Sequence, residues 1–362
     1  MNKQSTTAPI HAIDLFSGCG GLSYGFESAG IKTDLAVDNW PDALMTFSKN
    51  HPSSRTELFD LGAKNLKPLI DTLGDAEIVF GGPPCQGFSI SGKRNPNDPR
   101  NMLYRGFYEV VAQIRPKIFV MENVPNLASM DGGRLILEIE NDFSSLGYKL
   151  SRKIMLASDF GVPQNRKRMI LVGTLSESNF VFPVGPTINP EQKINCYSAL
   201  SDLPEESVLN GSSYQLRPTS EYQHLMRENS RGIFNHEITK HSDKTIEIIN
   251  LVPDGGNYKN LPIELQSTRK VNIAWTRYSS KKPSLTIDTG HRHHFHYSFN
   301  RIPTVRESAR LQSFPDSFIF EGSKTSQYKQ VGNAVPPLLA KAIGESIRIH
   351  LRHEREEIKN AV

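Results

Sequence analysis

Cys85 is the residue here best placed to do covalent chemistry. It stands in Gly81-Gly82-Pro83-Pro84-Cys85-Gln86-Gly87-Phe88-Ser89, where two prolines fix the backbone before it and glycines frame it, so its neighbours build a rigid turn and are poor core formers. A cysteine is otherwise most often a small buried hydrophobe, which is the reading for Cys19 and Cys196. A free thiol with a pKa near ~8.5 is only a few per cent ionised at neutral pH, so a nucleophilic Cys85 needs a base or positive charge close by. Phe119-Val120-Met121-Glu122-Asn123-Val124 supplies a carboxyl group, and Gln164-Asn165-Arg166-Lys167-Arg168 supplies three cations. Guanidinium groups there could hold a carbonyl or phosphates in bidentate fashion. Locally, Glu122 would also serve as a strand-end carboxylate capping the next helix, and the cations as a solvated basic turn.

A second constellation points to a nucleoside cofactor. Asp14-Leu15-Phe16-Ser17-Gly18-Cys19-Gly20-Gly21 follows a predicted strand and opens a predicted helix, a context in which backbone N–H groups and small residues let a nucleotide-like ligand approach. A tight strand-to-helix connection would look the same. Asp38 lies just past the next predicted strand, about 20 residues after the glycines, where a carboxylate can grip ribose hydroxyls. The spacing departs from Gly-x-Gly-x-x-Gly, which argues against a dinucleotide and favours a ligand such as S-adenosylmethionine. A methyl donor gives the thiol a purpose. Ring carbon C5 of cytosine is a poor nucleophile, and adding a thiolate at C6 breaks the aromaticity and makes C5 enamine-like. Electrons then move toward N3, where a carboxyl group such as Glu122 can share a proton.

The elements that must position these residues are legible over Pro9–Thr174. Short apolar runs alternate with longer amphipathic stretches, the pattern of β-α units closing a mostly parallel sheet. Strands are predicted at Ile10–Leu15, Asp34–Val37, Glu77–Phe80, Lys117–Met121 and Arg168–Thr174, and helices at Gly21–Ser28, ended by Gly30, and Leu103–Ile114. Cys85 and Glu122 then follow strand ends, at the carboxyl edge where α/β sheets place their ligands. After about Phe182 scattered Pro, Gly, Asn and Ser break the alternation through roughly Phe299. Helices are expected again at Thr304–Ser313 and from Pro337 to about Arg352, with the Glu-Arg-Glu-Glu tail beyond as a frayed, solvated end.

Composition sets bounds. The 362 residues, 37% hydrophobic, allow about two domains. No apolar run reaches the ~18 residues of a bilayer span, and a start carrying only Lys3 gives no targeting signal, so a cytoplasmic, nucleoid-associated protein is expected. Three cysteines without metal-ligand spacing suggest neither a disulfide framework nor a zinc cage. A net charge of +4 permits a polyanionic partner without demanding one.

The ordered set of motifs resembles the DNA (cytosine-5-)-methyltransferase family of bacterial restriction–modification type over nearly the whole chain. Its later members are Arg306-Glu307-Ser308-Ala309-Arg310-Leu311-Gln312-Ser313-Phe314-Pro315 and Gln330-Val331-Gly332-Asn333-Ala334-Val335-Pro336-Pro337. The resemblance implies an S-adenosylmethionine-dependent methyltransferase fold, α/β and Rossmann-like, with a smaller inserted target-recognition domain. It implies a cofactor site at Phe16, Gly18, Gly20, Gly21, Asp38, Asn39, Asp60, Leu61, Leu103 and Asn333, and catalytic roles for Cys85, Glu122, Arg166 and Arg168. The expected organisation is a catalytic domain at 8–182, target recognition at 183–300, a hinge at 301–324 carrying the Arg306 motif, and a segment at 325–362 returning to the catalytic domain. Asn39 stands where many members carry a hydrophobic residue, and the family's usual His-Pro is absent before the Arg306 motif.

The implied reaction is methylation of a cytosine that has been flipped out of double-stranded DNA, since a base inside a duplex cannot present C6 to a thiol. Lys93, Arg94 and Arg100 in the Ser89–Arg100 loop are expected to contact phosphates. Arg269, Lys270, Arg277, Lys281, Lys282 and Arg292, with Trp275 and Tyr278 interleaved, form the best candidate DNA face. A solvated basic loop is the plainer alternative. Contiguous histidines in His291-Arg292-His293-His294-Phe295-His296 alternate faces on extended chain, so no metal site is assigned. The protein is expected to act as a monomer on DNA and to protect sites from a cognate restriction endonuclease that it does not bind directly. The rivals are RNA cytosine methylation and a catalytically silent DNA-binding module. Cys85, Glu122 and Asp38 together argue against the latter, which needs none of them.

Overall fold

The computed structural model describes residues 9–84, 102–266, 275–290 and 293–361. The chain forms two compact units. The first, residues 1–155, 167–183 and 340–362, is built on a seven-stranded sheet of order β3-β2-β1-β4-β5-β7-β6. Its strands are β1 (Ile10–Leu15), β2 (Ile31–Asp38), β3 (Arg55–Leu58), β4 (Ile78–Gly81), β5 (Ile118–Asn123), β6 (Lys149–Leu156) and β7 (Lys167–Thr174). The pairs from β3 through β5 are parallel, and β7 runs antiparallel to β5. Strands β4 and β5 read Ile-Val-Phe-Gly and Ile-Phe-Val-Met-Glu-Asn and are buried throughout, as parallel strands covered on both faces must be.

Helices α1 (Gly21–Ser28), α2 (Pro41–Asn50), α3 (Lys67–Ile70), α4 (Met102–Ile114) and α5 (Arg134–Ser145) connect the strands. Phe107 and Val111 of α4 and Ile139 and Phe143 of α5 pack with Phe119 and Leu171 of the sheet into one core. Every expected strand is present within a few residues. The edge strands β3 and β6 and the helices α2 and α5 were not foreseen.

The second unit, residues 156–166 and 184–339, has little regular structure. It contains the short helices α6 (Cys196–Leu200), α7 (Glu221–Arg227), α8 (Asp243–Asn250) and α9 (Ile263–Gln266), a two-stranded sheet of β8 (Thr276–Arg277) and β9 (His294–Phe295), and then α10 (Val305–Leu311) and α11 (Lys324–Asn333). Ile249, Val252, Trp275, Phe295 and Ile302 form its apolar centre.

Within the stretch expected as a hinge, Val305–Leu311 is buried at every position; Arg310 pairs with Asp202 and Asp316 at 2.6 Å and Arg306 donates to the Pro315 and Phe318 carbonyls. Two expectations about the later chain need correction. The returning segment begins at residue 340, while 325–339 clusters with the second unit. The last helix, α12 (Pro337–Ala361), runs through the Glu-Arg-Glu-Glu stretch, and Arg355 pairs with Glu77 at 2.8 Å, so that stretch is not frayed.

No described helix is long and apolar enough to cross a membrane. Among the described residues no group of His, Cys, Asp and Glu could hold a metal ion. Two histidines of the tract, His294 and His296, are buried in the second unit. His294 stacks on Tyr278 and His296 on Phe299, and burial pulls the pKa of each imidazole down to about 4. An unfolded histidine titrates near 6.5, so between roughly pH 6.5 and 4 the unfolded chain binds more protons and stability is lost as the pH is lowered, by up to about 1.4 kcal/mol per pH unit for each histidine. His296 Nδ1 accepts from the Ser298 and Phe299 amides. Asparagine preserves that acceptor, so His296→Asn should flatten the pH dependence of the urea midpoint between pH 6.5 and 5 by about one histidine's share.

Candidate active site

The cofactor-side residues converge where β1 and β2 end. Beyond β1, Phe16, Gly18 and Gly20 take φ values of +57°, +53° and +93°, folding the chain sharply into α1 at Gly21. Ser17 N–H donates to the Val37 carbonyl at 3.1 Å, and Gly18 N–H to the Asp38 carboxylate at 2.8 Å, so the turn is tied to β2. The other Asp38 oxygen accepts from Trp40 N–H at 2.9 Å, and its carbonyl accepts from Phe59 N–H at 3.0 Å. Desolvation raises the Asp38 pKa, while the Gly18, Trp40 and Asn39 amides act to lower it. A carboxylate has about four acceptor sites, so these backbone bonds still leave Asp38 capacity for a ribose hydroxyl. Behind it, Asp14 is buried and accepts from Ser23 Oγ at 2.6 Å, with its pKa raised by desolvation. Cys19 is buried too, and burial pushes its thiol pKa up to about 12, which fits an inert residue.

Asp60, Leu61 and Leu103 form a second part of this edge. Asp60 accepts from Gly62 N–H at 2.9 Å, and Gly106 lets α4 sit directly against the Leu61 carbonyl. Asn39 is exposed beside Asp38. Asn333, the last residue of α11, is exposed in the second unit. The turn fits a small nucleoside ligand on two grounds: a Cβ at Gly18 would meet nothing within 4 Å, and Ser17 Oγ is a buried hydroxyl with no protein partner.

Glu122 lies near the end of β5, and because β7 is antiparallel, the start of β7 reaches the same edge. Arg168 Nε is 2.6 Å from Glu122 Oε1, with both side chains 11% exposed. A pair this buried holds its geometry, and removing one partner costs about 3–5 kcal/mol. Asn123, whose role the sequence left unread, donates to the Pro83 carbonyl at 2.8 Å and accepts from Val124 N–H at 2.9 Å. It thereby fastens the chain two residues before Cys85 to the strand that carries Glu122. Its only signal was adjacency to Glu122. Arg166 is buried in the second unit, donating to the Ile287 carbonyl at 3.2 Å and the Gly332 carbonyl at 2.7 Å.

Cys85, Lys93, Arg94, Arg100, Arg269, Lys270 and Arg292 lie outside the described residues. Lys281 and Lys282 are exposed, as a DNA face requires. Arg277 is a correction: it is buried, and its guanidinium donates to the carbonyls of Ile249, Val252, His296 and Phe299 and to Asn300 Oδ1, which leaves it nothing for a phosphate. Trp275 and Tyr278 are likewise buried.

A mostly parallel seven-stranded sheet with a glycine turn and an acidic residue at its first two strand ends defines an S-adenosylmethionine-dependent α/β methyltransferase. Residues 10–348 match the family model of C-5 cytosine-specific DNA methylases, and the chain belongs to that family. It is 39% identical to the type II methyltransferase M1.HphI of Haemophilus parahaemolyticus, over 92% of this chain and 86% of that protein. It is 36% identical to M.DdeI of Desulfomicrobium norvegicum, over 93% and 88%. Among solved structures, a prophage-encoded protein of E. coli described as a DNA modification methyltransferase superposes with a TM-score of 0.74 at 28% identity, covering 95% of this chain and 99% of that one. The protein is thus a DNA cytosine-5-methyltransferase of restriction–modification type, with S-adenosylmethionine as methyl donor.

A Cβ at Gly82 would lie 2.9 Å from Glu122 Oε2. Gly82→Ala should therefore displace the carboxylate from its place beside Arg168 and lower the methyl-transfer rate at least about tenfold. The thermal midpoint should stay within a few degrees, because a side-chain tip can yield. Radiolabelled methyl incorporation beside a melting curve checks both.

Proposed function

We propose that the enzyme flips a cytosine out of a specific double-stranded DNA sequence, attacks C6 with Cys85, and so protects host DNA from a cognate restriction endonuclease. The observation that carries this reading is Glu122, held by Arg168 at 2.6 Å and adjoining Gly82, three residues before Cys85. The Cys85 thiolate forms an Sγ–C6 bond, and the displaced electron pair moves toward N3, where Glu122 shares a proton and limits the developing charge. Arg168 keeps that carboxyl group in place. Arg166, committed to the Ile287 and Gly332 carbonyls, fastens its own segment within the second unit. S-adenosylmethionine, when bound by the Phe16–Gly21 turn, Asp38 and the Asp60–Leu61 and Leu103 edge, supplies an electrophilic methyl group to C5. Loss of the C5 proton to water then lets the ring expel Cys85 as thiolate and regain its aromaticity.

Residues 183–300 are assigned target recognition, with Lys281 and Lys282 among their phosphate contacts, and the Lys93, Arg94 and Arg100 segment is assigned a grip on the same duplex. The enzyme works as a monomer on chromosomal DNA, without direct binding to the endonuclease. Expression in a host lacking cytosine methylation, followed by base-resolution mapping of 5-methylcytosine, should reveal one recurring sequence context; modification of RNA alone would overturn the proposal. Cys85→Ala should abolish methyl transfer while retaining DNA binding in a gel-shift assay, and residual turnover would remove Cys85 from the mechanism.

A further inference from the structure

His51 lies outside every motif discussed so far, yet it is packed beneath the cofactor turn. It is the residue that ends α2, and its side chain is completely buried. The ring stacks on Phe47 with centroids 4.2 Å apart, and Nδ1 is 2.7 Å from Glu27 Oε2. A Cβ on Gly20 would overlap His51 Nε2 and come within 2.8 Å of Phe47 Cδ2. The imidazole therefore occupies the space under Gly20 and limits how far that residue can sink. Gly20 in turn sets the turn and the helix after it: its N–H donates to the Ser17 carbonyl at 3.0 Å, and its carbonyl accepts the first α1 bond from Tyr24 N–H at 2.8 Å.

The Glu27–His51 link also spans two helices. Glu27 is on α1, which starts at Gly21 where the turn ends, and His51 closes α2, which starts three residues after Asp38. A leucine would fill the same volume without desolvating a polar ring. The carboxylate contact does what leucine cannot, since it fixes the rotation of the ring and ties the two helices together.

We propose that His51, oriented by Glu27, is a positioning residue for S-adenosylmethionine: without touching the ligand it sets the height of Gly20 and the spacing between the turn and Asp38. The proposal rests on reading that turn and Asp38 as the cofactor site. Its test is isothermal titration calorimetry of the full chain with S-adenosylmethionine, which separates affinity from the fraction of competent protein. Steady-state methylation of DNA from an unmethylated host accompanies it. His51→Ala should raise Kd and the cofactor KM about tenfold, and Glu27→Gln, which keeps the volume, about threefold, because ligand geometry is sensitive to shifts well under 1 Å. The kcat at saturating cofactor should stay within about twofold, and His51→Gln, which returns a polar atom beneath Gly20, should recover most of the affinity.

Unchanged Kd in folded His51→Ala and Glu27→Gln would overturn the proposal. A lower binding stoichiometry with unchanged Kd would also overturn it, by reducing His51 to a folding role. If His51→Ala does not fold, Glu27→Gln decides. Failure of the unaltered protein to bind S-adenosylmethionine, or full retention of binding in Asp38→Ala, would instead overturn the reading of the site itself.

Discussion

One contact governs the catalytic edge: Arg168 Nε against Glu122 Oε1 at 2.6 Å, both side chains nearly withdrawn from water. In a wholly parallel sheet the end of one strand neighbours the end of the next, and a residue opening a strand lies at the opposite edge. Strand β7 breaks that rule by running antiparallel to β5, with Asn123 opposite Met169, and so brings its first residues to the edge where β5 finishes. The cation that opens one strand can then meet the carboxylate near the end of another. Reversal of this single strand is the topological condition for a clamped Glu122. The charge pair in turn makes the position worth its desolvation, because an unpaired buried carboxylate would shift toward its neutral form.

The cofactor edge follows a different logic, with backbone amides in place of a guanidinium. Asp38 is held by Gly18 and Trp40 N–H groups, donors left available because the turn and the start of α2 have no ladder partner for them. Asp14 lies deeper, where burial favours its neutral form, and Ser23 Oγ supplies its hydrogen bond. The two acids are therefore unequal, and Asp38 is the one with solvent-facing capacity. Accepting the Gly18 amide also makes Asp38 part of what shapes the turn, so ligand grip and loop geometry share one carboxylate.

The legible and illegible parts of the sequence divide along burial. The central strands β4 and β5 are covered on both faces, and each opens with an unbroken apolar run. The edge strands do not: β3 reads Arg-Thr-Glu-Leu and β6 reads Lys-Leu-Ser-Arg-Lys-Ile-Met-Leu, half solvated and too polar to stand out. At the site, Glu122 and Asp38 were visible because strand ends are where α/β sheets place function. Asn123, Ser17 and His51 were invisible because each acts through a backbone or packing contact that only the folded chain supplies. The same lack of context hid what the Arg306 motif does inside its own unit. Its charges are spent internally, on Asp202, Asp316 and the Pro315 and Phe318 carbonyls.

That internal use of arginine explains how an irregular unit can be a defined one. Helices and sheets satisfy their own carbonyls; a chain of short turns leaves many without partners, and buried carbonyls need donors. A guanidinium offers five N–H groups in a rigid fork, and Arg277 spends its fork on four carbonyls and one side-chain amide drawn from two separate stretches of chain. Arg306 and Arg310 act in the same way around α10, and Arg301 binds Glu307 through both terminal nitrogens. Lysine cannot substitute, since one ammonium cannot span such distances in a plane. A consequence follows for DNA recognition. The net charge of +4 counts these fasteners as though they faced solvent, whereas a phosphate meets only exposed cations such as Lys281 and Lys282. Arginine content in such a unit therefore measures how much backbone needs holding before it measures affinity for a polyanion.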